Sequence, residues 1–254
     1  MPADSFPASN QLKDWFSPER YRSLALQLTA IEPRFDQAEF LRVTLHDLAS
    51  RELKARLQNT VVALHASLPG PFRANLAVLR QLAPQIKHTF IAVALSDYVA
   101  VYGLAWPKLS LPALAFFTRF GSAEFAIRAF LEQDQARTLA VMFCWTQHRD
   151  EHVRRLASEG SRPRLPWGQQ LRALVRNPRP TFDLLSQLRD DPSLYVRKSV
   201  ANHLNDIAKD HPDLMLALVE SWDNPTPATR WIVQHGLRTL IKQGHPRADR
   251  KSVV

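Results

Sequence analysis

Cysteine and glycine are scarce in this sequence, and the two shortages exclude several classes of protein. Cys144 is the single cysteine among 254 residues, so the chain forms no internal disulfide and no metal site built from several cysteines. Only 7 glycines are present and runs of β-branched residues are few, which argues against a protein made of sheets. We expect a reducing compartment and an all-α fold.

Segments that direct a protein to a membrane are also absent from the sequence. No apolar run reaches ~18 residues, and no basic and apolar leader opens the chain. The 9 histidines show neither an HExxH motif nor paired ligand spacing, so we expect no metal and no cofactor. These features predict a cytoplasmic protein without membrane contact.

Positive charge is what the sequence has in excess. Lysine and arginine number 33 against 24 acidic residues, which gives a formal net charge of +9. The excess is rich in arginine, whose planar guanidinium suits phosphate recognition. Nucleic acid is therefore the expected partner, although a basic balance alone is weak evidence because many basic proteins bind no nucleic acid.

Eighteen prolines punctuate the chain, and most of them, Pro112 included, are expected at joints between short helices. In the segment 122–131, Ser122 is the predicted cap and Glu124 falls in the first turn. No long linker divides the chain, so residues 1–254 are predicted to form a single domain with frayed ends at 1–10 and 245–254. Helices are predicted near 18–30, 36–49, 51–67, 72–82, 90–101, 109–120, 122–131, 135–147, 152–160, 196–209, 214–222 and from 227 onward.

The stretch from Asp191 to Asp213 has the pattern of one two-helix repeat. Its apolar residues recur every three or four positions, as on one face of an α-helix: Val196, Val200, Leu204 and Ile207. The same pattern recurs around Val153 and Thr229, which lie 43 residues before and 33 residues after Val196. Such intervals lie in or near the period of α-solenoid repeats, with an insertion in the longer one.

An arginine follows the aligned position in each copy of the repeat: Arg154, Arg197 and Arg230. Stacked repeats would line these side chains along one edge or the concave surface, where they would contact phosphates. An arginine at this place can instead brace the neighbouring repeat, and the sequence leaves that alternative open. Further candidates for phosphate contact are Arg155, Arg162, Arg164, Lys198 and Lys242.

Three segments resemble the HEAT-repeat DNA alkylation repair glycosylases of the AlkC type: HVRRLASEGSRPRLPW, LYVRKSVANHLNDIAKDHPDL and AEFAIRAFL. The amino-terminal segments LKDWF and ELKARL extend the resemblance over nearly the whole chain. It implies an α-solenoid of HEAT-like repeats whose concave basic face grips double-stranded DNA and which hydrolyses the N-glycosidic bond of methylated, cationic bases. Nothing like the immunoglobulin-like domain of some relatives follows Gly244, so a short-form member is expected.

The resemblance places three acids in the active site with one tryptophan beside them: Glu124, Glu159, Asp206 and Trp167. Carboxylates suit this chemistry, because they stabilise an oxocarbenium-like sugar and place a water, while a cationic base leaves without being protonated. The ring of Trp167 would contact the cationic base. Without the resemblance, Glu159 and Asp206 are ordinary surface charges, Glu124 is a helix-dipole acid and Trp167 is core.

The expected function is therefore a monofunctional DNA glycosylase of base excision repair, monomeric and nucleoid-associated while it acts. It would release 3-methyladenine, with 3-methylcytosine and 1-methyladenine as further substrates. The alternative is a non-catalytic HEAT scaffold that binds nucleic acid or an acidic protein, and a third hypothesis is a lyase that uses Lys198 or Lys209. Acids that converge near Trp167 favour the enzyme, whereas acids scattered on the convex face favour the scaffold.

Overall fold

The structure of this chain is a computed structural model that describes residues 12–86, 90–223 and 225–248. Every regular element in these residues is a helix, which confirms the prediction of an all-α fold. Contacts between the elements divide the chain into two compact units, Met1–Ala126 and Ile127–Val254. A single domain over residues 1–254 stays a prediction, and each unit is described by itself.

The first unit has six α-helices among its described residues. They are α1 (Pro18–Ile31), α2 (Gln37–Leu45), α3 (Leu53–Ser67), α4 (Phe72–Leu82), α5 (Val93–Tyr102) and α6 (Pro107–Phe117). Short 3-10 helices lie at Leu12–Trp15, Leu48–Ser50, Ala83–Gln85 and Phe90–Ala92.

Helices α1 and α2 begin where the sequence offers a capping side chain. The hydroxyl of Ser17 accepts a hydrogen bond at 3.3 Å from the N–H three residues further on, and Pro18 fills the first helical position, where an N–H has no helical partner anyway. The carboxylate of Asp36 caps α2 in the same way. Behind them, the hydroxyls of Tyr21 and Thr60 share a buried hydrogen bond of 2.7 Å, so these two polar groups of the core satisfy each other.

The second unit has nine α-helices among its described residues. They are α7 (Ile127–Gln133), α8 (Gln135–Trp145), α9 (Glu151–Gly160), α10 (Arg172–Arg176), α11 (Phe182–Gln187), α12 (Leu194–Asp210), α13 (Pro212–Glu220), α14 (Pro227–Gly236) and α15 (Arg238–Lys242). A 3-10 helix lies at Arg179–Thr181. In neither unit is a described helix long and apolar enough to span a bilayer.

Helix α12 is the centre of the second unit, because it packs against α9, α13 and α14. The four apolar positions that the sequence assigns to one face are all buried: Val196, Val200, Leu204 and Ile207. Burial of side chains of this size contributes about 1.5–3 kcal/mol each, before the entropy of ordering is subtracted. Val153, Val196 and Thr229 are each the third residue of their helix, so the predicted helical repeat is confirmed.

Several boundaries differ from those predicted. Helices α10, α11 and α15 are not foreseen, because five or six residues are too few to display a helical period. Pro112, expected at a joint, lies inside α6. The helix predicted at 122–131 begins only at Ile127, so Ser122 is not its cap and Glu124 precedes its first turn.

The two ends of the chain that are predicted to fray are described only in part. Residues 1–11 and 249–254 lie outside the described part of the chain. Residues 245–248 are held in place, because Arg247 forms ion pairs with Asp213 at 3.0 Å and with Glu220 at 2.8 Å, and Ala248 is buried. The carboxylates on α13 supply the partners that the basic tail needs.

Candidate functional site

The candidate site lies where α9 ends and the loop 161–171 follows. Asp150 caps the start of α9 by accepting a hydrogen bond from the His152 N–H at 2.9 Å. At the other end, Gly160 permits a close approach to α7, since a Cβ in its place would lie 2.4 Å from Cγ2 of Ile127. Asp150 thus fixes the start of α9, and Gly160 lets its end pack closely against α7.

Two acids and one arginine meet at this end of α9. Arg162 donates from Nη1 to Oε1 of Glu159 at 2.7 Å and from Nε to Oδ2 of Asp206 on α12 at 2.8 Å. All three are buried, with 6% of Glu159, 6% of Arg162 and 1% of Asp206 exposed. Glu159 and Asp206 therefore lie together, and neither is the ordinary surface charge that sequence spacing alone suggests.

Arg162 is what makes the burial of these two carboxylates tolerable. An unpaired charge in a protein interior costs several kcal/mol, so each buried charge requires a partner. Burial by itself acts to lower the pKa of Arg162, but the hydrogen bond to Asp206 and the charge of Glu159 outweigh it and raise that pKa. Arg162 stays a cation and, as a rigid planar group, holds the carboxylates at a fixed separation.

Two further cations flank the acids. Lys209 places Nζ 3.3 Å from Oδ1 of Asp206, one turn earlier on α12. Arg155 places Nη2 3.6 Å from Oε1 of Glu159, and its guanidinium carbon lies 4.7 Å from the centre of the Tyr195 ring. Both oxygens of Asp206 are therefore engaged, whereas Oε2 of Glu159 accepts no hydrogen bond within the described residues.

A second buried arginine, Arg128 of α7, braces the loop 161–171. Its guanidinium donates to the carbonyl oxygens of Gly160 at 3.1 Å, Arg162 at 2.8 Å and Gln169 at 2.8 Å, so it ties both ends of the loop to α7. Burial lowers the pKa of Arg128 to about 10, which leaves the group charged near neutral pH. The two buried arginines formally balance the two buried carboxylates.

Sequence reasoning missed Arg128. The available signal was a lone arginine among the apolar residues of the segment AEFAIRAFL, because a charge on an apolar helix face has to find partners inside the protein. Arg238 was also missed, and the sequence suggested Lys209 only as the amine of a lyase. Arg238 donates to Oδ1 of Asn202 at 3.0 Å and to the carbonyl of His235 at 2.7 Å, and its pKa is lowered by burial, against the opposing charge of Asp206.

Trp167 projects from the loop into solvent, with 71% of its surface exposed. The loop is closed by backbone hydrogen bonds from the Gly168 N–H to the carbonyl of Leu165 and from the Leu171 N–H to the carbonyl of Pro163, both 3.1 Å. Trp167 has φ of 64°, a left-handed conformation that a bulky residue adopts only at a cost. A core role for Trp167 is therefore wrong, and the strained turn presents its ring outward.

His203 lies behind the acids in the interface between α9 and α12. Its Nδ1 is 3.0 Å from the carbonyl oxygen of Ser158. A carbonyl only accepts, so Nδ1 carries the proton. Burial, together with the charges of Arg162 and Arg128, lowers the pKa of His203 to about 3. Nowhere in the described ranges do three or more His, Cys, Asp or Glu side chains group to hold a metal ion.

Glu124, the third predicted acid, belongs to the first unit. It is half-buried in the turn that directly precedes α7 and lies three residues before the helix starts, so the alternative of a first-turn acid on a helix dipole is wrong. Its membership of the site stays a prediction.

The three repeat-equivalent arginines turn back onto loops of their own protein. Arg154 binds the carboxylate of Asp191 through Nε at 2.6 Å and Nη2 at 3.1 Å. Arg197 donates to the carbonyl of Asp191 at 2.9 Å, and Arg230 donates to that of Pro225 at 2.6 Å. This is the bracing arrangement that the sequence left open, and phosphate contact by these three stays a prediction.

The other predicted phosphate contacts are engaged to different degrees: Arg155, Arg162, Arg164, Lys198 and Lys242. Burial of Arg162 between the two acids argues against its predicted contact with phosphate. Arg164 pairs with Asp210 through hydrogen bonds of 2.7 and 2.8 Å. Lys198 and Lys242 are exposed, and neither has an ion-pair partner in the described part of the chain, so they are the most accessible of the set.

Comparisons with known proteins give a family model and similar proteins. A family model described as DNA alkylation repair enzyme matches residues 117–240. The protein YhaZ of Bacillus subtilis (strain 168) is 42% identical over 238 residues, which are 93% of this chain and 66% of that protein. The solved structure of Pseudomonas fluorescens alkylpurine DNA glycosylase AlkC, bound to DNA containing an abasic site analog, is 48% identical with a TM-score of 0.92. That match covers 96% of this chain and 68% of AlkC, so the chain spans about two thirds of each relative.

Proposed function

The chain belongs to the family of DNA alkylation repair enzymes, and from this we propose that it is a DNA glycosylase that hydrolyses the N-glycosidic bond of cationic alkylated bases. The proposed main substrate is 3-methyladenine, with 3-methylcytosine and 1-methyladenine as further substrates. AlkC supports this, since it is an alkylpurine DNA glycosylase and an abasic site is what a glycosylase leaves behind.

The observation that carries the proposal is the pair of buried carboxylates, Glu159 and Asp206, held by Arg162 at the base of the Trp167 loop. Carboxylates repel phosphate, so a scaffold that only binds DNA gains nothing from them on a chain of net charge +9. A glycosylase needs negative charge where a sugar becomes cationic.

The chemistry requires little of the protein beyond these groups. A base alkylated at a ring nitrogen such as N3 of adenine is already a cation. When the bond from C1′ to the base nitrogen breaks, its electron pair moves to the base, which leaves as a neutral molecule without a proton from the enzyme. The sugar becomes an oxocarbenium-like cation, and water attacks C1′ and releases a proton to a carboxylate.

The geometry favours Glu159 for the water. Its Oε1 is fixed by Arg162, while Oε2 carries no hydrogen bond within the described residues and can hold the water and take its proton. Asp206 then stabilises the cationic sugar, and Glu124 is proposed to buttress the two. The face of Trp167 attracts a cationic base more than a neutral one by ~0.5–2 kcal/mol, which selects lesions over normal bases.

The proposed partner is double-stranded DNA, contacted by a monomer without metal or cofactor. No segment suited to reading base edges is evident in the sequence, so recognition is proposed to depend on the deformability of the damaged duplex and on the charge of the base. Phosphate contacts supply the affinity.

The test is release of free methylated bases from methylated DNA by the purified protein in the presence of a chelator, followed by chromatography. We expect 3-methyladenine from the native protein and a rate at least about a hundredfold lower for Glu159→Gln, because the amide accepts no proton. The amide oxygen still accepts the hydrogen bond of Arg162, so the fold is kept, and thermal unfolding checks this.

Glu151→Gln is the matched control, since it makes the same change at the other end of α9. Its carboxylate accepts a hydrogen bond from the hydroxyl of Ser193 and is exposed, so base release should stay at the native rate. Salt-sensitive DNA binding without base release would leave the scaffold as the better hypothesis. Strand cleavage that accompanies base release would favour a lyase.

A further inference from the structure

Asp206 is neutralised from two sides. Arg162 donates to its Oδ2 at 2.8 Å, and Nζ of Lys209 lies 3.3 Å from its Oδ1. A carboxylate whose two oxygens both face cations attracts a third cation, the sugar, only weakly. One of the two partners therefore has to withdraw before Asp206 can act on a cationic sugar.

Arg162 is the partner that cannot withdraw. It is buried, it binds Glu159 as well as Asp206, and its own carbonyl oxygen accepts a hydrogen bond from Arg128. Removal of its guanidinium would leave two buried carboxylates without a partner. Lys209 is different, because 45% of its side chain is exposed and its single contact with Asp206 is longer than the usual hydrogen bond. Its flexible stem lets the ammonium move at little cost.

A DNA phosphate supplies the charge that draws Lys209 away. Lysine binds phosphate as a point charge, and Asp206 keeps Arg162 when the lysine leaves. The neighbourhood is already basic, since Arg238 of α15 lies near enough for its pKa to respond to the charges of Asp206 and Arg162. Arg238 is anchored by Asn202, so a phosphate that approaches this side of α12 meets one fixed and one movable cation.

We propose that Lys209 is a counter-ion that duplex binding removes from Asp206. In the free protein its ammonium neutralises Oδ1, and in the complex it turns to a backbone phosphate and leaves Oδ1 open toward the sugar. This inference rests on the proposed glycosylase function and adds a coupling to it, because the full charge of Asp206 becomes available only when DNA is in place.

Two substitutions at position 209 separate binding from chemistry. Lys209→Gln removes the phosphate contact, so affinity for the duplex falls and the slope of log affinity against log salt becomes shallower by about one unit. The single-turnover rate of base release at saturating protein stays at or above that of the native protein, since Asp206 is left open. Lys209→Arg keeps the affinity but lowers that rate about three- to fivefold, because a guanidinium binds the carboxylate more firmly.

Lys108 on α6 provides matched controls, since it is exposed, has no carboxylate partner in the described ranges and lies outside the predicted phosphate contacts. Lys108→Gln and Lys108→Arg should change neither the affinity nor the rate of base release. A lower rate in Lys209→Gln would overturn the proposal by placing Lys209 in the chemistry. An unchanged rate in Lys209→Arg would overturn it by showing that the contact with Asp206 restrains nothing.

A spectroscopic readout keeps this test independent of base release. The ¹³Cε NMR signal of Lys209, assigned by its loss in Lys209→Gln, should shift in Asp206→Asn and shift again in the native protein when a duplex with an abasic site analog is added. If the native protein releases no base but the signal shifts, the glycosylase proposal fails, while the proposal that Lys209 moves from Asp206 to a phosphate stands. A signal that shifts neither in Asp206→Asn nor on addition of the duplex overturns the proposed movement of Lys209.

Discussion

His203 makes the stability of this protein depend on pH. In the unfolded chain a histidine binds its proton with an ordinary pKa near 6.5, whereas the pKa of His203 in the folded protein is about 3. Below pH 6.5 the unfolded state therefore binds a proton at His203 that the folded state does not bind. The free energy of unfolding falls as the pH falls from 6.5 toward 3, by at most about 1.4 kcal/mol per pH unit from this residue.

Replacement of His203 by asparagine tests this linkage. The Nδ2 of asparagine can donate to the carbonyl of Ser158 as Nδ1 of histidine does, but it does not titrate. We expect His203→Asn to be less stable than the native protein at pH 7.5, because the ring volume is lost, and the difference to shrink as the pH falls to 4.5. Urea unfolding across this range measures it. Parallel curves for the two proteins would show that another group governs the acid sensitivity.

At the same scale, the sequence predicts part of the acid cluster and misses the rest. The spacing of Arg155, Glu159 and Arg162 at four and three residues predicts their contacts, which are present. Their burial does not follow from spacing, because it depends on Asp206, which is 44 residues from Arg162 in the chain. The acids could be grouped only through the resemblance to a family.

The loop 161–171 is an element whose shape is set before any DNA arrives. Arg128 holds its two ends, and two backbone hydrogen bonds close it. The left-handed conformation of Trp167 costs about 1–2 kcal/mol for a residue that has a Cβ. Strain at an exposed aromatic residue supports the prediction that Trp167 contacts a ligand.

Substitutions of Trp167 separate that strain from the ring. Both Trp167→Ala and Trp167→Gly remove the indole, so both should slow release of cationic bases. Only glycine relieves the left-handed backbone, so Trp167→Gly should be more stable than Trp167→Ala by about 1 kcal/mol. Thermal unfolding of the two variants measures the difference. Equal stability would mean that the turn stores no strain at this residue.

Among the elements, length decides which helices the sequence predicts. The periodicity of α12 predicts a helix near 196–209, and the structure has a helix of 17 residues there. Helix α11, with 6 residues directly after the 3-10 helix that contains Pro180, gives no period to detect. The helix predicted at 122–131 starts too early, because Ser122 and Glu124 have the sequence pattern of a helix start, whereas α7 begins at Ile127.

For the molecule as a whole, the net charge differs from the number of positive side chains that are accessible to DNA. The chain carries +9, but many of its arginines in the second unit are committed to internal carboxylates or carbonyls. Exposed lysines such as Lys198 and Lys242 remain the most accessible of the predicted phosphate contacts. The grip on DNA is therefore expected to rest on fewer side chains than the net charge suggests.

The salt dependence of duplex binding tests this distribution. Lys198→Gln and Lys242→Gln should each weaken binding and make the slope of log affinity against log salt shallower by about 0.9. Arg34→Gln is the control, because Arg34 is also exposed but pairs with Glu32 and lies outside the predicted contacts. Fluorescence anisotropy across a range of salt concentrations gives the slopes. An effect of Arg34→Gln equal to those of the lysines would indicate a diffuse charge effect without defined contacts.

Fold class and family were accessible from the sequence, because helical periods and local motifs are short-range properties. The three arginines that follow the aligned repeat positions show what short-range properties cannot predict. Their register is visible in the sequence, yet the loops onto which they turn become neighbours only when the repeats stack. The equal position of the three arginines in the repeat predicts that they have similar surroundings. It does not decide whether they contact phosphates or brace the neighbouring loops.

The turn at Trp167 also has an evolutionary consequence. Tryptophan has a single codon, UGG, and one nucleotide change converts it to GGG, which encodes glycine. If glycine relieves the backbone as expected, this mutation removes the indole together with the strain, so a loss of repair would not show in the abundance of the protein. Lineages released from alkylation stress would accumulate such alleles without a folding penalty, and continued exposure to methylating agents is then what keeps tryptophan at this position.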